Sequence, residues 1–385
     1  MGLQSYLAGK PLYYDVIDYT RMPRVYAQLS PYLRIPKIIH VLGTNGKGTT
    51  GRFLASALHK HGFSIGHYTS PHILEFNERI WLSGANVADA VLEAAHEKLQ
   101  NLLDPLEGQK LSYFEYTTLL AMVVYEGCDY VVLEAGLGGE HDATAVFPKV
   151  LTLITPIDFD HESFLGSTIE EIAATKINAM EQHAIIAEQK YPKVYEIADA
   201  IALKKGGKVF RIAELTDAAA EEKIGTVSQK LSLPSYLQEN LKLACAALTF
   251  LDVAWEAKDF DDARLFGRMS KIAPNVYLDV GHNPLAAQSI AKELAGKKVI
   301  LVYNTYKDKD YKKILEILRP VLWHVEIIDV SEGRIVARKV LEEALQELGI
   351  LCRPFRGITD KERDYLVFGS FSVAEQFLKN GYISE

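Results

Sequence analysis

Between the apolar run Lys37-Ile38-Ile39-His40-Val41-Leu42 and a stretch of helical period from Lys47 to Lys60 stands Gly43-Thr44-Asn45-Gly46-Lys47-Gly48-Thr49-Thr50. No other feature constrains the fold as strongly. A strand that ends in a glycine-rich turn and opens a helix is one half of a parallel α/β unit. Phosphate binding needs the same arrangement: glycines let backbone N–H groups approach oxygens, the helix N-terminus adds positive potential, and a lysine reaches the outer phosphates. The loop departs from GxxxxGK[ST] in that Gly48, not a hydroxyl residue, follows Lys47. The alternative is a glycine-rich turn with one exposed lysine.

The alternation continues. Val131 to Gly139 reads as a strand and turn after the apolar stretch Tyr116 to Tyr125, and further strands are predicted at Val150–Ile157, Ala184–Ala187 and Lys208–Arg211. Helices are predicted near Thr168–Met180 and Leu237–Ala254. Asn86 to Leu103 reads as a surface helix with Asn86 as N-cap, Asp89 in the first turn, and Val91, Leu92, Ala95 and Leu99 on one face. A second βα series has strands at Val276–Val280, Lys298–Tyr303, His324–Ile328 and Tyr365–Gly369. A chain of 385 residues exceeds one hydrophobic core. The charged stretch Trp255–Arg264 marks the boundary, giving domains 1–256 and 257–385. Asp217–Glu222 reads as a polar, alanine-rich patch.

With a net charge of -8, the chain has no basic field to draw it to nucleic acid or anionic lipid. Anionic ligands must be met by a few placed cations, helix N-termini or metal ions. Cys128, Cys245 and Cys352 form no zinc or CxxC spacing and read as reduced thiols. The start MGLQSYLAGK lacks the apolar core of a signal peptide, and no apolar run is long enough to span a bilayer. A cytoplasmic protein is expected, with no membrane or nucleic-acid partner.

Other motifs follow strand ends. Glu134 closes Tyr130-Val131-Val132-Leu133 ahead of Gly136-Leu137-Gly138-Gly139, where a carboxylate faces the ligand crevice of a parallel sheet and suits magnesium; it also suits a solvated loop. His161, beside Asp158 and Asp160, fits a metal ligand, an acid/base group or a polar turn. In Leu278-Asp279-Val280-Gly281-His282-Asn283-Pro284, Asn283 and Pro284 suit a helix cap and first turn, which would leave Asp279 and His282 incidental. Asp308-Lys309-Asp310 alone is a charged turn.

In order along the chain, HVLGTNGKGTT, TSPHILEFNERIWLSG, YFEYTT, VVLEAGLGGEHDATA, DFDHESFLGSTIEEIAATK, GRM, LDVGHNP, DKD and VFGS resemble the folylpolyglutamate synthase/dihydrofolate synthase family of the Mur-ligase-like superfamily. The resemblance runs from about Ile35 to Ser370 and is weakest between Met180 and Tyr236. It implies an α/β fold: a P-loop Mur-ligase-like domain that binds ATP and folate or pteroate, then a smaller Rossmann-like C-terminal domain, with the active site between them. The implied reaction joins L-glutamate to dihydropteroate or a reduced folate through an acyl phosphate made with ATP.

By the same resemblance, Lys47 contacts the ATP phosphates, while Gly43, Thr44, Asn45, Gly46, Gly48 and Thr49 shape the loop. Ser70 and Glu134 hold one magnesium, His161 holds a second, and Lys176 matches a lysine often carbamylated in the superfamily. Asn240 lies near the adenine, Arg268 and Asp279 reach the nucleotide with His282 nearby, and Phe114 and Asp142 match pterin- or pteroate-binding positions. A monomer is expected. The family's GGRLDATN stands here as GGEHDATA, DGAHNP as DVGHNP, and the HQxxN motif as Tyr236-Leu237-Gln238-Glu239-Asn240. The competing readings are a cell-wall precursor ligase of the same superfamily, against which TSPHI followed by FNERI argues, and a P-loop switch that hydrolyses nucleotide to change shape. No Ser/His/Asp or Cys/His constellation calls for a side-chain nucleophile.

Overall fold

The computed structural model describes residues 1–12 and 18–382, and the chain divides into two compact units. The first comprises Met1–Leu233 and Leu237–Arg264, the second Pro234–Tyr236 and Leu265–Glu385.

The first unit holds an eight-stranded sheet of β1 (Lys37–Leu42), β2 (Ile65–Tyr68), β3 (Ile80–Leu82), β4 (Ala85–Asn86), β5 (Tyr130–Glu134), β6 (Lys149–Ile154), β7 (His183–Ile186) and β8 (Lys208–Arg211), in the order β4-β3-β2-β5-β1-β6-β7-β8. Only the β2–β3 and β3–β4 pairs are antiparallel. Strand β1 is buried from Ile38 onward because helices cover both faces of the sheet, and this is why its sequence is almost continuously apolar. The helix Lys47–Lys60 packs over β1, β2 and β5. The helix Tyr113–Val124 starts at a capping box, Ser112 with Glu115, and buries Tyr116, Leu119 and Leu120 in a cluster with Ile38, Tyr68, Val131 and Leu133. Ile172, Ile177, Val194 and Ala198, from the helices Ile169–Ile177 and Pro192–Lys204, join Leu42, Ile154 and Ile186 in another cluster.

The second unit holds a six-stranded sheet of β9 (Ser270–Ala273), β10 (Val276–Leu278), β11 (Val299–Tyr303), β12 (Leu322–Ile327), β13 (Cys352–Pro354) and β14 (Tyr365–Phe368), ordered β13-β12-β11-β14-β10-β9. Only β9–β10 is antiparallel. Its own core includes Leu301, Tyr303, Ile314, Leu318, Val325, Leu341 and Phe368.

Several local readings of the sequence are corrected. Asn86 does not cap a helix; it pairs with Trp81 across the β3–β4 hairpin, and the helix begins at Asp89 behind Ala88, which makes no side-chain cap. Val91 is exposed, and the buried face is Leu92, Ala95, His96 and Leu99. The alanine-rich patch opens a helix, Ala218–Lys230, whose first turn is capped by the Asp217 carboxylate. The first unit closes at Arg264, the end of the charged stretch Trp255–Arg264; within that stretch Trp255 and Phe260 are buried, and the Asp259 carboxylate lies 3.1 Å from His61 Nε2. Among the described residues no helix is long and apolar enough to cross a membrane. The three cysteines are free thiols.

Candidate active site

The register Val41↔Glu134 brings the ends of β1 and β5 side by side, so the glycine-rich loop and the Glu134 carboxylate share the carboxyl edge of the sheet. Gly46 caps the helix Lys47–Lys60 in a left-handed conformation, φ 91°, and a Cβ there would stand 2.3 Å from Asn240 Oδ1. Only glycine meets both demands. Thr44 latches the loop to the next strand: its N–H donates to the Pro156 carbonyl at 2.9 Å and its hydroxyl to the Asp158 carbonyl at 3.0 Å. Asp158 in turn accepts from Tyr191 and pairs with Lys190, so its carboxylate is occupied in holding the loop that follows β6.

Lys47 folds back over its loop, donating to the carbonyls of Gly43 at 3.3 Å and Thr44 at 3.2 Å. Lys176 arrives from the helix Ile169–Ile177, which is capped by Thr168 and Glu171, and donates to the same Gly43 carbonyl at 3.1 Å. It is 4% exposed. Burial, and then the Lys47 charge beside it, push its pKa down to about 7. Lys47 and the helix N-terminus give the loop a local positive field that the net charge of the chain does not suggest.

Glu134 is 6% exposed and accepts from the Thr69 hydroxyl and from the Ser70 N–H at 3.3 Å. Thr69 is a residue that the sequence reading passed over, although it stands directly before Ser70. Among the described residues no group of three or more His, Cys, Asp and Glu side chains converges as a metal cage. The available donors, a carboxylate and hydroxyls beside a phosphate-binding loop, suit magnesium, which keeps water and phosphate oxygens in its shell. His161 is half-buried in a left-handed conformation, φ 54°, at the start of the turn Glu162–Leu165, with Nε2 3.8 Å from Asp160 Oδ1.

Asp142 is an anchor of the glycine loop after β5. One carboxylate oxygen accepts from Leu137 N–H at 2.8 Å, the other from the Thr144 N–H and hydroxyl at 2.9 and 2.5 Å. Burial raises its pKa against these donors. Thr144 spends its hydroxyl proton on Asp142, so His40 Nε2, 2.8 Å from Thr144 Oγ1, must be the donor in that contact. His40 is fully buried and stays neutral, its pKa pushed down to about 3. The Phe114 ring lies against the same loop, where a Cβ on Gly136 would stand 2.5 Å from Phe114 Cζ, and 6.0 Å from the Tyr68 ring.

In the second unit Asp279 follows β10 and is 5% exposed; its carboxylate accepts from Tyr236 OH at 2.7 Å, Met269 N–H at 2.9 Å and Gly281 N–H at 2.8 Å. Arg268 lies over the Phe371 ring at 5.4 Å and donates to Gly267. His282 Nδ1 is 3.0 Å from the Val280 carbonyl, and Asn283 caps the helix Pro284–Glu293. Asp310 caps the helix Tyr311–Leu318.

The chain matches no protein-family model. It is similar to the dihydrofolate synthase/folylpolyglutamate synthase of Escherichia coli strain K12, 32% identical over 352 residues that cover 86% of this chain and 81% of the relative. The protein of the same description from Haemophilus influenzae is 30% identical over 339 residues, 78% of this chain and 76% of its own. Among solved structures, Helicobacter pylori folylpolyglutamate synthetase aligns with a TM-score of 0.79 and 38% identity over 98% of this chain and 97% of that one. E. coli FolC in complex with DHPP and ADP aligns with a TM-score of 0.85 and 27% identity over 99% and 97%.

Proposed function

The chain belongs to the folylpolyglutamate synthase/dihydrofolate synthase family, and from that premise we propose that it adds L-glutamate to dihydropteroate and to reduced folates in an ATP-dependent reaction. The observation that carries the chemistry is the meeting of Lys47 and Lys176 at the Gly43 carbonyl, beside the buried Glu134 carboxylate at the end of the neighbouring strand. Such a site suits a nucleoside triphosphate, and the reaction requires no side-chain nucleophile. The acceptor carboxylate attacks the γ-phosphate to give an acyl phosphate and ADP; the glutamate amine then displaces phosphate to form the amide. Lys47 and the loop N–H groups hold and neutralise the phosphates. Magnesium, with Ser70 and Glu134 holding one ion and His161 a second, would neutralise the transferring phosphoryl group.

The rest of the site belongs to the same proposal. Phe114 and the loop fixed by Asp142 flank the pteroate, and Asn240, Arg268, Asp279 and His282 contact the nucleotide. Residues 1–256 bind ATP and the folate or pteroate, and residues 257–385 form the glutamate-ligase domain. The enzyme works as a cytoplasmic monomer. Lys176 is carbamylated: a lysine with a pKa of about 7 offers a neutral amine near neutral pH. That amine adds carbon dioxide, releasing one proton and leaving a carbamate whose oxygens suit a hard cation. Labelled carbon dioxide should give a carbamate resonance that is missing in Lys176→Ala, and short-chain carboxylates should restore part of that variant's activity.

ADP formation should be followed with L-glutamate and, in parallel, dihydropteroate, tetrahydrofolate and a folate diglutamate, with products identified by mass. Glutamate added to dihydropteroate and to tetrahydrofolate is the expected result. ADP release that ignores either substrate would sink the ligase reading, and glutamylation of folates alone would reduce it to one activity.

A further inference from the structure

Tyr236 stands first in the segment Tyr236-Leu237-Gln238-Glu239-Asn240, and the reaction as proposed gives it no role. It lies in the first turn of the helix Ser235–Phe250 and belongs, with Pro234 and Ser235, to the second unit. Its hydroxyl donates to Asp279 Oδ2 at 2.7 Å. Desolvation, and then the Asp279 charge beside it, hold the phenol well above its ordinary pKa, so the proton stays on the tyrosine.

Asp279 follows β10 at the carboxyl edge of the second sheet, the edge at which parallel strands present their ligands. Besides Tyr236, the Met269 N–H donates to Oδ2 at 2.9 Å, and the Gly281 N–H donates to Oδ1 at 2.8 Å. A carboxylate offers about two acceptor positions on each oxygen. Among the described residues, Tyr236 and Met269 therefore fill Oδ2 and leave one position on Oδ1. Turning the carboxylate would break all three bonds, so the direction of that open position is fixed. The backbone is strained where it supplies one of these donors: Met269 has φ 43°, in the left-handed region that L side chains rarely adopt. Strain of this kind persists where the surroundings hold a site in one geometry. Arg268, the residue before Met269, stands close enough for its charge to act on the Tyr236 phenol.

A carboxylate oxygen with one acceptor position left, fixed in direction, selects a hydrogen-bond donor, and a nucleotide carries hydroxyl and amino donors. We propose that Tyr236 is a positioning residue of the nucleotide subsite: with the Met269 N–H it occupies Asp279 Oδ2, so that Oδ1 is the oxygen that accepts from the nucleotide. This rests on the proposed function, in which Asp279 contacts the nucleotide, and names the side chain that orients that contact.

The test is equilibrium binding of ADP and of a non-hydrolysable ATP analogue, with magnesium, to the full-length wild type, Tyr236→Phe, Asp279→Asn and the double variant, alongside urea melts and steady-state ligation. Tyr236→Phe keeps the ring and removes only the donor. It should weaken both nucleotides about tenfold, the worth of one hydrogen bond to a charged group, and raise KM for ATP while leaving KM for L-glutamate and for the acceptor unchanged. In the Asp279→Asn background the same change should add little, because the carboxylate that Tyr236 orients is gone. Lower stability of Tyr236→Phe with nucleotide affinity unchanged would make the bond purely structural and overturn the inference, as would equal losses for all three substrates or fully additive losses in the double variant. A wild type that makes no ADP with any pteroate or folate overturns the ligase reading itself; wild-type ligation with nucleotide weakened by Asp279→Asn but not by Tyr236→Phe overturns only the role of Tyr236.

Discussion

Lys47 and Lys176 donate to one acceptor, the Gly43 carbonyl, at 3.3 and 3.1 Å. Each charge therefore raises the cost of the other. Removing Lys47 should abolish ligation, by at least about a hundredfold, because a placed phosphate cation is lost. It should also raise the pKa of Lys176 from about 7, though not to an ordinary lysine value, since burial is the larger cause of the shift. Circular dichroism, ligation rate and the Lys176 titration, followed by carbon-13 labelling of lysine in Lys47→Ala, check all three. A folded, active variant would remove the phosphate-loop assignment.

The same group makes stability depend on pH. Below about pH 7 both folded and unfolded chains hold the Lys176 proton, and folding bears the whole desolvation cost. Between that value and 10.5 the unfolded chain binds more protons, so this contribution to stability rises with pH. Lys176→Met should therefore stabilise the protein most at about pH 6 and less at about pH 9, in urea melts run without bicarbonate. A pH-independent difference would mean that the lysine is hydrated or paired in solution.

What the sequence made legible follows from how local the signal is. The run Lys37–Leu42 and the loop after it announce themselves because burial on both faces and the helix start are written in consecutive residues. Strands β9 and β13 lie at sheet edges and keep exposed residues such as Lys271 and Arg353, so they lack an apolar run. The helix Ala218–Lys230 was hidden by its polar start, although Asp217 as cap and Ile224 with Val227 at helical spacing were available signals. Within the site, Lys47, Glu134 and Lys176 stand at element ends that sequence locates. The sharing of one carbonyl by two lysines and the Thr69 bond to Glu134 depend on contacts between distant segments, and no local pattern encodes them.

Glu134 offers a direct test of the metal chemistry. Its carboxylate is buried and held by Thr69 and the Ser70 N–H, so Glu134→Gln changes charge with little change in shape. Turnover should fall, and the magnesium concentration needed for half-maximal rate should rise by about tenfold or more, with folding preserved. Magnesium titrations of ligation rate in both proteins decide it. Normal turnover with normal magnesium dependence would mean that the carboxylate only braces the turn after β2.

Gly136 and Phe114 form a pair whose coupling separates acceptor binding from nucleotide binding. A Cβ on Gly136 would stand 2.5 Å from Phe114 Cζ, closer than any side chain tolerates, so Gly136→Ala must displace the ring. The ring cannot shift without cost, because Tyr68 lies 6.0 Å away on its other contact. If Phe114 flanks the acceptor, Gly136→Ala should raise KM for dihydropteroate several-fold and leave KM for ATP unchanged. Phe114→Leu should do the same by removing the flanking ring. Because both changes act through one ring, the double variant should be no worse than Phe114→Leu alone, a coupling that independent sites do not show. Additive losses, or a matching rise in KM for ATP, would place the effect of Gly136 on the loop backbone rather than on the aromatic wall.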